Sequence, residues 1–304
     1  MAAFHLSSAR LLASALVAFW SSTALAELPA FSEGQFTSHT ADAAHGQEIY
    51  NAAGCATCHS VEGQMDLLAG GRVFENRLGK VYAPNITDDK TAGIGGWTDA
   101  QFLNALMRGV APDGSKYYGA FFPFAAYSRM KPEDALDLRA FLKSLPTSDL
   151  ATKENEVNLF SDQALLMLNS DRPALVVPAD AQLARGQYLV EALGHCAECH
   201  TPRDGFSLDE AKPYSGFMGY FGDYSPDISG ARLQTVGAEA FVIGALAEGK
   251  KLNGRPFGAG SMRRVAEETA QLSLEDRAAM YAYLTGQPLD VATLPQAPVV
   301  LVQA

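Results

Sequence analysis

The chain has 304 residues, of which 48% are hydrophobic and 19% are charged. This balance excludes a disordered chain, and the length accommodates about two globular domains. The net charge of −11 argues against the basic surface that duplex nucleic acid requires, so we expect no nucleic-acid partner. The four cysteines are too few for a disulfide-rich scaffold of this length, so their positions matter more than their number.

The first 26 residues have the features of a secretory signal peptide. Arg10 precedes an apolar run over 11–20 that is too short to span a bilayer, and residues 24–26 (ALA) form a small-residue cleavage site. We therefore expect cleavage before Glu27 and export of a protein that is soluble afterwards. The alternative is that the segment is retained as a membrane anchor.

One sequence unit occurs twice. Residues 55–59 read CATCH and residues 196–200 read CAECH, and the second motif begins 141 residues after the first. A Gly-Gln pair precedes each motif by about the same distance, at Gly46 and at Gly186.

The similarity continues downstream of both motifs, where 83–86 (APNI) corresponds to 225–228 (SPDI). The two repeats cover about 41–146 and about 181–288. Repeats of this length predict tandem domains, because solenoid repeats are shorter.

Three helices are predicted in each repeat from capping residues and from the spacing of apolar side chains. Thr98 and Ser273 are N-cap residues, and Gly109 ends the helix that Thr98 begins. The predicted helices cover 41–53, 99–108, 132–144, 181–193, 238–248 and 274–285. Between them, the glycine- and aromatic-rich stretches 63–96 and 205–230 are predicted to wrap a large flat cofactor, since loops of this length are rarely ordered by themselves.

The paired cysteines indicate which cofactor this is. A Cys-x-x-Cys-His motif is typical of covalent c-type haem attachment, because two thiols on one helical turn can add across the two porphyrin vinyl groups and the adjacent histidine can bind the iron. We predict two covalently bound haem c groups, whose thioether bonds come from Cys55, Cys58, Cys196 and Cys199. The predicted proximal iron ligands are His59 and His200.

Three other interpretations of the cysteines compete with haem attachment. A redox-active Cys-x-x-Cys pair needs a βαβ setting, and neither motif has one. A zinc site formed by four thiols, or a pair of structural disulfides, would leave His59 and His200 without a role. Attachment of one haem at each motif uses all four cysteines.

These motifs resemble those of class I cytochrome c domains. More closely, the chain is similar to the bacterial periplasmic di-haem cytochromes c that serve dehydrogenases as electron-transfer subunits; the three-domain cytochrome subunits of alcohol and gluconate dehydrogenases are related. The similarity is carried by 194–203 (GHCAECHTPR), by 122–130 (FPFAAYSRM) and by 95–98 (GGWT). It covers about 41–288.

The resemblance implies an all-α fold of two tandem class I cytochrome c domains, each wrapped around one covalent haem. The N- and C-terminal helices of each domain are then expected to cross at Gly46 and at Gly186. The implied divisions are a first domain over 27–146, a linker over 147–180, a second domain over 181–290 and a tail over 291–304.

Class I domains hold the iron between a histidine and a methionine thioether. The resemblance implies Met130 and Met262 as the distal iron ligands, because each is expected in a loop just ahead of the closing helix. Met218 is the alternative in the second domain. Met107 and Met280 lie within predicted helices and are expected to pack in the core.

Other polar residues have less specific interpretations. Arg72 and Arg203 could pair with haem propionates or lie on the surface. His195 is expected to be a partly exposed neighbour of the second motif, and His39 and His45 belong to no motif.

Two functions follow from these interpretations. If methionines close both irons, the protein relays single electrons in the periplasm. The resemblance then implies a periplasmic or membrane-bound dehydrogenase as one partner, and a terminal oxidase or another cytochrome as the other. The alternative function depends on Phe122, which occupies the position where related alcohol-dehydrogenase subunits carry a methionine. If Phe122 marks an open distal pocket, the protein is a di-haem redox enzyme of the peroxidase or thiosulfate-oxidising type. We prefer the electron carrier.

Overall fold

The computed structural model describes residues 29–61, 63–76, 79–158, 160, 162, 166, 174–204, 207–219 and 224–295. The predicted signal peptide over 1–26, its cleavage site before Glu27 and most of the predicted tail lie outside these residues. Within them, no helix is long and apolar enough to cross a membrane.

The helices of the first half, as far as it is described, are α1 (Ala43–Ala53), α2 (Cys55–His59), α3 (Asp99–Arg108), α4 (Phe124–Tyr127) and α5 (Pro132–Leu142). The Asp42 carboxylate accepts two backbone N–H groups at the start of α1, and Thr98 and Gln101 form a capping box at the start of α3. Gly54 and Gly109 end these two helices in the left-handed conformation. The predicted helices are confirmed, with ends that differ by up to two residues.

The second half repeats much of this order, with α6 (Ala181–Gln187), α7 (Ala197–His200), α8 (Gly230–Val236), α9 (Ser261–Thr269) and α10 (Leu274–Thr285). The predicted helix over 181–193 begins as α6 and continues as a π-helix over Tyr188–Leu193. The helix predicted over 238–248 is a π-helix over Ala240–Ala245. Its three successive side chains at 241–243 are all buried in the core.

Terminal helices of each half cross where one of them carries a glycine. A Cβ atom on Gly46 of α1 would lie 2.0 Å from the carbonyl oxygen of Asp137 on α5. A Cβ atom on Gly186 of α6 would lie 1.9 Å from the carbonyl oxygen of Ala279 on α10. Both distances exclude any side chain, so the crossing expected at these glycines is confirmed in both halves.

The predicted all-α class holds for the helical framework, but short antiparallel strands occur in or beside both stretches that were predicted to wrap the cofactor. In the first half, β1 (Val73–Asn76) pairs with β2 (Gly79–Tyr82), and β2 also pairs with β3 (Glu156–Val157). The second half has two separate pairs, β4 (Arg203–Asp204) with β5 (Ser207–Leu208) and β6 (Phe217–Met218) with β7 (Tyr224–Ser225). Pairing between neighbouring strands orders these segments, although each strand is too short to show an alternating pattern of apolar residues. The helical class I type of fold is retained around them.

Both halves contribute to one hydrophobic core. Its most deeply buried large side chains include Ile49, Leu103 and Leu138 from the first half and Leu189 and Leu233 from the second. The halves therefore pack against each other through apolar side chains and not only through the connecting segment.

The segment predicted as a linker is attached to the first half at its beginning. Asn85 donates from Nδ2 to the carbonyl oxygens of Ser148 (2.8 Å) and Leu150 (2.9 Å). Thr152 Oγ1 accepts from the Asn85 N–H at 3.0 Å. This part of the linker thus packs beside the segment that follows β2.

Candidate functional site

The first Cys-x-x-Cys-His motif forms the short helix α2, directly after the turn at Gly54. None of the four motif cysteines, all of which lie within the described residues, forms a disulfide. Burial raises the pKa of Cys58 to about 11, and raises the pKa of Cys55 further. A redox-active dithiol needs a lowered thiol pKa. The raised pKa values of Cys55 and Cys58 therefore argue against a redox-active pair.

The interpretation as a four-thiol zinc site also lacks structural support. Within the described residues, the side chains that come together at metal-ligand spacing are those of His45, Asp134 and Asp137, and none of them is a thiol. The four cysteines therefore do not form one shared metal site, and the two cysteines of each motif are considered as a separate pair.

Both motif histidines are held in the same way. The Nδ1 atom of His59 lies 2.8 Å from the carbonyl oxygen of Pro84, and the Nδ1 atom of His200 lies 2.7 Å from the carbonyl oxygen of Pro226. A carbonyl oxygen only accepts, so Nδ1 carries the proton and Nε2 keeps its lone pair. Burial lowers the pKa of both histidines, which favours the neutral form. A neutral imidazole whose Nδ1–H bond fixes the ring is the form that binds iron.

The segments that hold the histidines are the repeated 83–86 and 225–228. Each histidine also has a second, backbone hydrogen bond. The Gly70 N–H donates to the His59 carbonyl oxygen at 2.8 Å, and the Gly216 N–H donates to the His200 carbonyl oxygen at 2.8 Å. The repeat of these two segments is visible in the sequence, but their contact with the motif histidines was not predicted. The signal was available, because a proline that recurs 25 residues after one motif histidine and 26 residues after the other indicates a shared contact.

The second half covers the first motif. Glu268 of α9 accepts from the N–H groups of Ala56 (2.9 Å) and Thr57 (3.2 Å) and from Thr57 Oγ1 (2.6 Å). Arg264 donates to Ser60 Oγ at 2.8 Å. Burial raises the pKa of Glu268 to about 7, because a carboxylate that loses water is harder to ionise. These contacts join residues about 200 positions apart, and the sequence analysis did not predict them.

The first half covers the second motif in turn. The ring of Tyr127 in α4 meets the ring of His195 edge-on, with centroids 5.6 Å apart. Nearby, Arg129 forms an ion pair with Glu191 at 3.1 Å. His195 is partly exposed, as predicted. The segment before the closing helix of the second half therefore contacts the first motif, and the corresponding segment of the first half contacts residues just before the second motif.

Comparison with known proteins agrees with this geometry. The chain matches the family described as Cytochrome c over residues 43–146. It is 37% identical over 268 residues to a protein named "Diheme cytochrome c-type" from Cereibacter sphaeroides, and the match covers 83% of this chain and 88% of that protein. The chain belongs to the cytochrome c family. Haem c is therefore its cofactor, and electron transfer is its class of function.

Other relatives of this cytochrome are subunits of larger assemblies. It is 31% identical to the fructose dehydrogenase cytochrome subunit of Gluconobacter japonicus, over 83% of this chain and 54% of that subunit. It is 33% identical to the gluconate 2-dehydrogenase cytochrome c subunit of Pantoea cypripedii, over 61% of this chain and 44% of that subunit. The cytochrome thus spans about half the length of these dehydrogenase subunits.

The two methionines predicted as distal ligands differ in setting. Met130 follows α4, is 3% exposed and belongs to the core. Met262 was expected in a loop. It lies instead in the first turn of α9, which begins directly after Gly260. Met218 is 60% exposed, whereas Met107 and Met280 are buried within helices, as predicted. Whether Met130 and Met262 bind iron stays a prediction.

Arg72 and Arg203, for which a haem propionate or a surface position was considered, both have protein partners in the cytochrome. Arg72 donates to the Thr57 carbonyl and to Ser261 Oγ, which links the first motif to α9. Arg203 pairs with Glu198 at 2.6 Å, and its side chain is 6% exposed. The surface position considered for Arg203 is therefore wrong, since β4 turns its side chain toward the motif.

Proposed function

We propose that this cytochrome carries two covalent haems, one at each Cys-x-x-Cys-His motif. The observation that carries the proposal is the repeated geometry of His59 and His200, each of which has a proline carbonyl on Nδ1 and a lone pair left on Nε2. The cysteines that would form the thioether bonds are Cys55 and Cys58 in the first motif and Cys196 and Cys199 in the second.

We also propose two tandem class I domains, over 27–146 and 181–290, joined by 147–180. The crossing of terminal helices at Gly46 and at Gly186 supports this division, because the same close approach occurs once in each half. The two domains are not separate bodies in this proposal, since they share one core.

In this proposal, Met130 and Met262 would each supply a thioether ligand to one haem iron. A thioether on the distal side closes the iron to small molecules and favours the reduced state. When bound, the haem supplies single-electron chemistry. The protein contributes neutral histidines with fixed orientation, exclusion of water by apolar side chains, and the Glu268 carboxylate beside the first motif.

The function that we propose is the relay of single electrons from a dehydrogenase to a downstream acceptor, either a terminal oxidase or another cytochrome. The names of the relatives support a dehydrogenase as donor. The net charge of −11 supports docking by electrostatic attraction to a basic partner surface. We place the mature protein in the periplasm, soluble after cleavage before Glu27.

The alternative, a di-haem enzyme, requires an open iron at the first haem, and Phe122 was the feature that suggested it. The Phe122 ring packs against Tyr117 and Tyr127, with centroids 5.5 and 5.9 Å apart. Aromatic packing therefore explains Phe122 without a substrate pocket.

Carbon monoxide binding to the fully reduced protein separates the two functions. We expect no carbon monoxide spectrum in the wild type, because a methionine closes each iron. Met130→Ala should bind carbon monoxide at one haem, whereas Met107→Ala, which removes a buried methionine of α3, should not. Ready binding by the wild type would overturn the carrier and favour the enzyme.

A further inference from the structure

A cluster of histidine and aspartate side chains lies where α1 and α5 begin, away from both attachment motifs. His45 Nδ1 is 2.8 Å from Asp137 Oδ2, and His39 Nε2 is 2.7 Å from Asp137 Oδ1. Asp134, one turn earlier on α5, belongs to the same cluster. The nitrogen of His45 and one carboxylate oxygen each of Asp134 and Asp137 lie within 4.8 Å of one another.

Burial makes these carboxylates unusual. Asp134 and Asp137 are 7% and 4% exposed and lie three positions apart on one helix face. Two like charges so placed repel each other, and burial adds a desolvation cost. Burial raises the pKa of Asp137, but the hydrogen bonds from His45, from the Asp42 N–H and from His39 outweigh burial and leave this pKa below its usual value.

Access to the cluster is open on the side of the histidines. The side chains of His39 and His45 are 22% and 37% exposed, in contrast with the buried carboxylates. Solvent therefore reaches the cluster from the side of the two histidines.

We propose that His45 Nδ1 and one oxygen each of Asp134 and Asp137 bind a divalent zinc ion, with water as the fourth ligand. One imidazole nitrogen and two carboxylate oxygens form a donor set that zinc accepts in tetrahedral geometry. Binding replaces the proton on His45 Nδ1 and neutralises the repulsion between the two aspartates. A magnesium ion fits poorly, because it prefers six oxygen ligands.

The groups around the three ligands already hold the carboxylates in place. The Asp42 N–H (2.7 Å) and His39 Nε2 both contact Asp137 Oδ1, so Oδ2 is the oxygen presented to His45. Tyr188 OH donates to Asp134 Oδ2 at 2.7 Å. Such outer contacts orient metal ligands and raise affinity. His39 is a positioning residue in this proposal, not a ligand.

The zinc site is distinct from the haem sites. His45 lies near the start of α1 and Cys55 follows its end, so eight residues of helix, about 12 Å along its axis, separate them. A bound ion would join α1 to α5 beside their crossing at Gly46. Because Tyr188 comes from the second half, the ion would also strengthen a contact between halves, and the folded state should gain stability.

Calorimetric titration of the chelator-treated holoprotein with zinc sulfate tests the proposal. We expect one zinc ion per chain, a higher thermal unfolding temperature with zinc, and no binding of magnesium sulfate. His45→Asn and Asp134→Asn should each abolish zinc binding, and His39→Asn should weaken it roughly tenfold or more. The matched control is Glu48→Gln, which removes one nearby charge from α1 and should leave the affinity within about threefold.

The haem absorption spectrum shows whether each variant is folded, and the exposure of His45 makes His45→Asn the safest substitution. The proposal is overturned if the wild type binds no zinc, if His45→Asn binds it as tightly as the wild type, or if magnesium binds equally well.

Discussion

The carboxylate of Glu268 and the hydroxyl of Thr57 are 2.6 Å apart, although 211 residues separate them in sequence. Glu268 belongs to α9 of the second half, and Thr57 lies between the two cysteines of the first motif. The position of the first attachment helix therefore depends on the other half, and a buried ionisable group lies directly at that contact.

Glu268→Gln should change how stability depends on pH. The folded-state pKa of Glu268 is raised from 4.5 to about 7, so between these values the folded state holds a proton that the unfolded state has lost. The contribution of Glu268 to the free energy of unfolding then falls as pH rises through this window, by on the order of 2 kcal/mol between pH 5 and 8. The variant lacks this contribution, so the difference in free energy of unfolding between the wild type and the variant should shift by this amount over the same range.

The control for this comparison is Glu267→Gln, the neighbouring exposed glutamate, which pairs with Arg263. It should keep the pH dependence of the wild type. An identical pH dependence in Glu268→Gln and the wild type would show that Glu268 is not the titrating group.

Gly186→Ala should destabilise the cytochrome by about 2 kcal/mol or more, because the added methyl group meets the Ala279 carbonyl oxygen and forces α6 and α10 apart. Gly46→Ala should have a similar effect on α1 and α5. The measurement is the free energy of unfolding in chemical denaturant.

Gly244→Ala is the matched control for the helix crossings, since the nearest atom to its added methyl group is 3.8 Å away. It should unfold within about 0.5 kcal/mol of the wild type. Equal losses in Gly244→Ala and Gly186→Ala would contradict the close-approach explanation.

Met262→Ala should abolish the weak long-wavelength band of one oxidised haem and lower that haem's reduction potential, because the thioether that favours ferrous iron is lost. Redox titration followed by absorbance measures both effects. Met218→Ala, at an exposed position, should leave both unchanged. If the results for the two variants are reversed, Met218 is the ligand.

The mature protein should begin at Glu27 and should be found in the soluble periplasmic fraction. N-terminal sequencing of the fractionated protein checks both points. Recovery only with membranes after a high-salt wash, with residues 1–26 still present, would show that the segment is an anchor.

The helices could be predicted from the sequence because their signals are local. The side chains of Thr98 and Ser273 each accept a hydrogen bond from an N–H three residues later, so the start of a helix is determined within one turn. The glycine crossings could be predicted through the resemblance, which placed Gly46 and Gly186 at equivalent points of the two repeats.

The contacts between halves and the pairing of β3 could not be predicted, because their partners are distant in sequence. The hairpins β1–β2, β4–β5 and β6–β7 are local, but strands of two to four residues are too short to show a recognisable alternation of apolar and polar side chains. β2 pairs with β3 across more than seventy residues, and Glu268 has no motif that relates it to Thr57. The cluster at His45 was missed for the same reason, since a lone histidine gives no sign of two aspartates on another helix.

Haem content is the most direct test of the central claim, that both motifs attach haem. Pyridine haemochrome analysis of the exported wild type should give two haems per chain, and both should remain bound on a denaturing gel. The double variants Cys55→Ala/Cys58→Ala and Cys196→Ala/Cys199→Ala should each retain one. A wild type with a single haem, or a double variant that still carries two, would contradict the account.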